Sequence, residues 1–445
     1  MATIIQKYGG SSLSDPERIM QCAARAHAVS QQGHDVVVVV SAMGRTTDHL
    51  LDLARQVSHR PGRVELDTLM ATGEQVSTAL MAMALKDHGA DAICLTGRQL
   101  GITTDNAHGR ARVQEVDRKS IQSHLQAGRV VVAAGFQGVT EQGHITTLGR
   151  GGSDITAVVL AAALGVGGKA EGYPETITDG RGAIHDASSV CEILTDVDGI
   201  YTADPRHVSN ARRLDEIPYE LMVELAALGA AVVHPRAVMI AQRYGVPVHV
   251  RHSALPGPGT RIVQESHLME EVAVIGGALT PDLVRIHVLG LPSEPGVHAS
   301  FYERLDEADL LIHDLTQHSS SKGDPADSSV RFTVARENLQ ETRDMVDQAL
   351  AAYEQVDIQV EADLARVSVV GAHLGSSSKG TATMLSSLAE AGISVSAITT
   401  TPVKISCLVT EADGPHALQV IHDAFRLDTR ATDISSTPGR QAGQN

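Results

Sequence analysis

Five consecutive valines, Val36–Val40, constrain this chain more than any other feature. A run with no polar residue suits neither a half-exposed strand nor an amphipathic helix. It predicts a strand buried on both faces, which is the mark of a parallel sheet covered by helices. Val130–Ala133 repeats the pattern, Ala2–Tyr8 reads as a strand ending in Gly9-Gly10, and Ile193, Leu194 and Val246–Val250 read as further short strands. Pro247 suits the start of the last strand or a sheet edge. Between the first two strands, Asp15 to Ser30 has helical spacing with Pro16 at a first-turn position. The β-α-β rhythm predicts an α/β sandwich built on a parallel sheet.

The rhythm ends near Ser253–Thr260, where SALPGPGT reads as a linker. Two shorter units follow, each in the order strand, turn, helix, strand, strand, helix. The expected division is a first domain over 1–252, a linker over 253–268, α+β units over 269–360 and 361–430, and a polar, disordered tail over 431–445. A chain of 445 residues suits two or three domains at roughly 150 residues each.

The net charge of −17 speaks against a nucleic-acid partner, which needs clustered Lys and Arg. Cys22, Cys94, Cys191 and Cys407 form no CxxC pair, so neither a zinc site nor a disulfide framework is expected. With no apolar run of membrane-spanning length and no signal-peptide pattern, the reading is a cytoplasmic protein without membrane contact.

Chemistry-bearing residues gather where strands end. Strand-then-Gly9-Gly10 before a helix offers backbone N–H groups to a phosphate, and Lys7 stands two residues earlier. Most such turns are only tight turns, and the GxxxxGK[ST] pattern is absent. Ser41 to Asp48 follows the valine strand and reads equally as a ligand loop or as a helix start capped by Thr46 or Thr47. Leu148–Asp154 sets Arg150 between glycines, where its planar fork suits a carboxylate or phosphate. Asp154 and Glu74 also read as ordinary first-turn acids. Asp196, Asp198 and Asp204 suit either a metal or Asx turns.

In this order the motifs resemble the aspartate kinase branch of the amino-acid kinase family. The matching stretches are KYGGSS (7–12), VVVVVSAMGRTTD (36–48), ATGEQVS (71–77), LTGRQLGITTD (95–105), GFQGVT (135–140), TTLGRGGSD (146–154), TDVDGIYTADPR (195–206) and LGAAVVHPRA (228–237). The C-terminal half is similar, more loosely, to the paired ACT (ferredoxin-like) regulatory domains of that family. The resemblance implies phosphoryl transfer from MgATP to the β-carboxylate of L-aspartate, giving 4-phospho-L-aspartate for lysine, threonine and methionine synthesis. It implies that Lys7 neutralises the transferring phosphoryl group, with Asp154 and Ser153 at the acceptor end. Arg150 would hold the aspartate α-carboxylate beside Thr47, and Glu74 its α-ammonium. Tyr8, Gly9, Gly10, Ser41, Thr195, Asp196, Tyr201 and Arg206 would line the nucleotide. No metal site made by protein side chains alone is implied. Lysine or threonine would act as effector at Gln317, His318 and Ser394, with a homo-oligomer formed through the ACT units.

Two departures stand out. Residues Val166–Ser189 look like an insert leading into the end of a strand remote from the chemistry. In the ACT units His313, His318 and Ser329 stand where the family usually has Asp, Asn and Asp. Ser377-Ser378-Lys379 replaces a His-Pro-Gly turn, and Ser394 replaces Asn. Altered feedback is expected, with the two histidines titrating near neutrality. The rival readings are an amino-acid kinase with another acceptor and a catalytically silent ACT regulator.

Overall fold

The computed structural model describes residues 2–167, 189–229, 232–264, 274–292, 295–307, 312–318, 328–351, 353, 356–376 and 378–429. Ser377, the body of the expected insert and the tail over 431–445 lie outside them. The chain divides into two compact units. The first holds Met1–Tyr201, Arg213–Ala227 and Ala231–Glu270; the second holds Thr202–Arg212, Leu228–Ala230 and Glu271–Asn445.

The first unit runs β1 (Thr3–Tyr8), α1 (Pro16–Gln31), β2 (Asp35–Val40), α2 (Thr46–Val57), α3 (Arg63–Met70), α4 (Thr72–Asp87), β3 (Ala92–Leu95), β4 (Ile102–Thr104), β5 (Val113–Val116), α5 (Arg118–Gln126), β6 (Val130–Ala134), β7 (Gln137–Val139), β8 (Ile145–Thr147), α6 (Gly152–Ala163), β9 (Val190–Thr195), β10 (Glu216–Pro218), α7 (Tyr219–Ala227), α8 (Pro235–Tyr244), β11 (Val248–His252) and β12 (Thr260–Val263). Eight strands form one sheet in the order β10-β12-β11-β9-β1-β2-β6-β3, and β5-β4-β7-β8 form a smaller one. Every neighbouring pair of the large sheet is parallel except β11 with β12. The valine strand β2 is central and buried throughout Val36–Val40, as a strand covered on both faces must be. Asp15 caps α1 by accepting the Arg18 N–H at 3.0 Å, and Pro16 opens the helix.

Three local expectations change. Pro247 lies just outside β11, which is internal to the sheet, and its carbonyl accepts the Cys191 N–H. Residues 260–263, read as linker, form β12. Pro256 to Gly259 reverses the chain, with Gly259 at φ 70°, and Thr260 returns fully buried alongside β11. Thr46 and Thr47 do not cap α2: the cap position is Arg45, and the Thr46 hydroxyl donates to Met43 O at 2.6 Å.

The second unit runs β13 (Gly276–Leu289), α9 (Pro295–Glu307), β14 (His313–His318), β15 (Ser329–Ala335), α10 (Leu339–Leu350), β16 (Asp357–Val370), α11 (Ser378–Glu390), β17 (Ala397–Thr401), β18 (Lys404–Thr410) and α12 (Gly414–Ala424). Its strands join in one antiparallel sheet, β14-β15-β13-β16-β18-β17. Two cores line it. One gathers Ile286, Val288, Phe301, Phe332 and Val346; the other gathers Val274, Val367, Met384, Ile405 and Leu418. The order of the chain puts residues 269–360 in one unit, yet β13 serves both cores. Its register breaks between Thr280 and Leu283, at Asp282 with φ 54°, and Val274 and Leu279 pack with the second core.

Beneath the large sheet of the first unit, Glu192 is buried with Arg251, Oε1 to Nη1 2.9 Å, and its Oε2 accepts from Gln6 Nε2 at 2.8 Å. Removing one partner of a buried pair leaves the other charge uncompensated, at a cost of about 3–5 kcal/mol. Arg251→Met is therefore expected to lower the urea-unfolding free energy of the full chain by about that amount. A change within experimental scatter would contradict it.

Candidate functional site

Parallel strands deliver their carboxyl ends to one rim of the sheet, and the loops after β1, β2, β6 and β9 meet there. Lys7, the penultimate residue of β1, directs Nζ to Asp154 Oδ1 at 2.6 Å; the two side chains are 11% and 9% exposed. Asp154 lies in the first turn of α6, and its Oδ2 accepts the His234 N–H at 3.2 Å. A Cβ on Gly9 would come within 3.7 Å of Lys7 Nζ, so the ammonium lies against the glycine turn. Gly10 admits no side chain, because a Cβ there would sit 2.8 Å from Ala42 O in the loop after β2.

Glu74 opens α4 and is 3% exposed. Its Oε1 accepts the Ala42 N–H at 2.9 Å, while Oε2 is buried with no hydrogen-bond partner. Burial pushes the carboxyl up to about 7, against the Ala42 N–H bond, which lowers it. A buried carboxylate oxygen without a donor is poised for a cationic one.

Arg150 sits between Gly149 and Gly151, both left-handed at φ 79° and 70°. A Cβ on Gly151 would lie 2.2 Å from the His234 side chain, so glycine is required there. Arg150 itself is exposed and has no ion-pair partner among the described residues. Burial lowers the His234 imidazole, Asp154 opposes that, and Arg236 and Arg150 add to it, so the ring is neutral at pH 7. Ser153 is 7% exposed and packs against Gly135, where a Cβ would meet its Oγ at 2.6 Å. Phe136 follows at φ 67°, a strained setting for a non-glycine residue beside the same loop.

Lys7, Gly10, Glu74, Ser153 and Asp154 thus converge, with Ser41 beside them through its N–H on Tyr8 O at 3.2 Å, Thr47 in the first turn of α2 and Arg150 at the edge. The remaining expected residues have partners of their own. Tyr8 is fully buried, and its hydroxyl reaches Cys22 O and Gln6 Oε1, so its ring belongs to the core. The Gly9 N–H donates to Leu194 O at 3.2 Å and is occupied by the sheet. Thr195 and Asp196 bond each other at 3.1 Å at the end of β9, and Tyr201 donates to Asp198 at 3.0 Å. Arg206 falls in the second unit, paired with Asp204 at 2.6 Å. Asp204 follows the turn reading, its Oδ1 accepting the Arg206 N–H at 2.8 Å. Among the described residues no group of three His, Cys, Asp or Glu could hold a metal, and no helix is long and apolar enough to cross a membrane.

In the second unit Gln317 and His318 lie on edge strand β14, where Gln317 Oε1 accepts from Tyr302. Ser394 precedes the opposite edge strand β17, so one chain does not bring the three together. Burial, with Arg366 adding to it, pushes His313 down to about 4, which removes it as a switch near neutrality.

Asp67, His234 and Arg236 escaped the sequence reading as site residues. The last two lie in a quoted stretch, and His234-Pro235 is a cap followed by proline at the first helical position: the His234 ring accepts the Arg236 N–H at 3.3 Å. Asp67 carries no local signal.

Because the folded-state carboxyl of Glu74 titrates higher than its ordinary value of 4.5, the folded protein binds more protons than the unfolded chain between about pH 4.5 and 7. Stability therefore falls as pH rises through that window, and the loss is complete above it. Glu74→Gln is expected to raise the thermal midpoint more at pH 8 than at pH 5. Equal shifts at both would show that the carboxylate is not strained.

Amino acid kinase family models match residues 2–168 and 186–252, breaking inside the expected insert, and an ACT domain model matches 367–425. The aspartokinase of Geobacillus stearothermophilus is 42% identical over 440 residues, 98% of this chain and 100% of that one. The aspartokinase of Thermus thermophilus is 42% identical over 432 residues, 96% and 100% of the two chains. The crystal structure of E. coli aspartokinase III with aspartate and ADP aligns at a TM-score of 0.74 and 24% identity, covering 95% of this chain and 99% of that one, a likeness of fold. Matched along nearly its whole length, and with its ring of residues around Lys7 and Asp154, the chain belongs to the amino acid kinase family, in its aspartokinase branch with ACT domains.

Proposed function

We propose that the chain transfers the γ-phosphoryl group of MgATP to the side-chain carboxylate of L-aspartate. One carboxylate oxygen forms a bond to γ-phosphorus as the bridge to the β-phosphate breaks, and ADP leaves with the electron pair. The observation that carries this reading is the lysine at the phosphate turn, held by Asp154, beside a buried Glu74 with an unpartnered oxygen. Whole-length identity with aspartokinases narrows the acceptor to aspartate.

An aspartate carboxylate is ionised at pH 7, so no strong base is needed and catalysis rests on position and charge. Lys7 neutralises charge spreading over the phosphoryl oxygens. Its ion pair with Asp154 fixes the ammonium in place. Gly10 lets a phosphate approach the backbone, with Ser41, Thr195, Asp196 and Tyr201 along the nucleotide. Glu74 Oε2 takes the α-ammonium, which supplies the donor that oxygen lacks. Arg150 takes the α-carboxylate, with Thr47 and Ser153 beside the substrate. Mg²⁺ suits this set as an ion carried by the phosphates and water, which needs no cage of side chains and adds neutralising charge.

The ACT match supports an amino-acid effector, lysine or threonine, and the two edge strands β14 and β17 support assembly of copies through this sheet. Four unpaired cysteines fit the reducing cytoplasm.

The test is acyl-phosphate trapping with hydroxylamine in the presence of MgATP. Aspartyl hydroxamate is expected with aspartate and none with glutamate or N-acetylglutamate, and no ADP release is expected with a nucleoside monophosphate, whose phosphoanhydride product hydroxylamine does not trap; turnover of one of these instead would replace the reading. Arg150→Lys loses the bidentate fork and is expected to raise the aspartate KM far more than the ATP KM. Equal effects on both would remove Arg150 from the acceptor site.

A further inference from the structure

Asp67 lies in the last turn of α3 and is 2% exposed. A carboxylate there faces two penalties, burial and the negative end of its own helix. It is held by donors from two other segments. Oδ2 receives His108 Nδ1 at 2.7 Å, Oδ1 receives the Thr147 hydroxyl at 2.5 Å, and both oxygens receive the Gly109 N–H at 3.1 Å. A carboxylate at Nδ1 fixes the proton of His108 on that nitrogen.

The two segments are the loop 105–111 and the end of β8, which runs directly into Leu148-Gly149-Arg150. They are tied again by the Ala111 N–H on Thr147 O at 2.9 Å. Gly149 lies so close that a Cβ would sit 3.0 Å from Gly109 O. From α8, Arg236 donates to Leu148 O at 2.6 Å and to Ala111 O at 3.1 Å. The Arg150 side chain, by contrast, has no ion pair to orient it among the described residues. The backbone that Asp67 and Arg236 hold sets the Cα and Cβ position from which its guanidinium reaches.

We infer that Asp67 is a positioning residue for the acceptor: through Thr147, His108 and Gly109 it fixes the turn that presents Arg150 to the α-carboxylate. The inference rests on the role of Arg150 proposed above. Asparagine at 67 keeps the shape but turns one acceptor into a donor facing the His108 or Gly109 N–H. Misplacing a binding group by about 1 Å suffices for large kinetic effects.

The test is steady-state kinetics of Asp67→Asn in the full chain, with hydrogen–deuterium exchange on the same preparation. Expected are an aspartate KM raised about tenfold or more, an ATP KM and kcat within about twofold, and faster exchange over 105–112 and 145–151 but not over β1 and β2. Thr147→Val is expected to shift the aspartate KM the same way and Thr147→Ser to leave it in place, which decides the matter should Asp67→Asn not fold. An unchanged aspartate KM, both KM values rising together, or unchanged exchange over the two loops would overturn the inference. If the unsubstituted chain does not phosphorylate aspartate, the functional reading fails separately, and the exchange pattern still decides whether Asp67 holds the turn.

Discussion

The pairing of Lys7 with Asp154 is the contact around which the first unit is arranged. Two charges stand close to one another at the end of a central strand, each about nine-tenths buried. Neither is tolerable there alone, since an unpaired buried charge is among the costliest errors a fold can carry. The pair is met only if β1 lies in register between β2 and β9 and if α6 begins at Gly152, after Gly151 at its cap. Glycines make that possible: Gly135, Gly151 and Gly152 let α6 settle against the loop after β6 and against His234 with no intervening side chain. The same contact that completes the fold leaves an ammonium group fixed beside a turn open to phosphate.

Charge is distributed around that pair with a clear division. On the phosphate side stand Lys7 and close-packed glycine backbone. On the side proposed for the acceptor stand Glu74, whose burial raises its affinity for a proton, and exposed Arg150. A carboxylate strained in this way binds a cation more readily than a relaxed one, because ligand and carboxylate relieve each other's desolvation. In the proposed reading, the strain on Glu74 and its taking of the substrate ammonium are one property seen twice. His234 stays neutral beside Asp154, so it adds no charge to compete with Lys7.

Much of this was legible in residues whose meaning is local. Valine runs can only be buried strands, Asp15-Pro16 can only open a helix, and glycines at strand ends mark close approaches. Roles that depend on distant partners were hidden. Asp67 looks like any helix acid until His108 and Thr147, 41 and 80 residues away, are seen to meet it. The resemblance implies Tyr8 along the nucleotide; alternation along β1 sets its ring in the core, where its hydroxyl reaches Cys22 O. In the second unit the sequential reading divided the chain at residue 360, whereas β13 spans both cores. Asp314, at φ 51°, joins those halves by accepting from Arg366 Nη1 and the Thr333 hydroxyl, both at 3.1 Å. The same arginine and the same burial silence His313, so a titration expected from residue type alone was lost to its surroundings.

The Lys7 ammonium serves the fold through Asp154 and, in the proposed reading, the transferring phosphoryl group as well. The direct measurement is kcat of Lys7→Ala at saturating aspartate and MgATP, with circular dichroism and unfolding of the same sample as the check on structure. Removing one preorganised donor of transition-state charge lowers turnover by about 10²–10³. That loss is expected in a folded protein. A folded Lys7→Ala variant with turnover near that of the unsubstituted chain would contradict it.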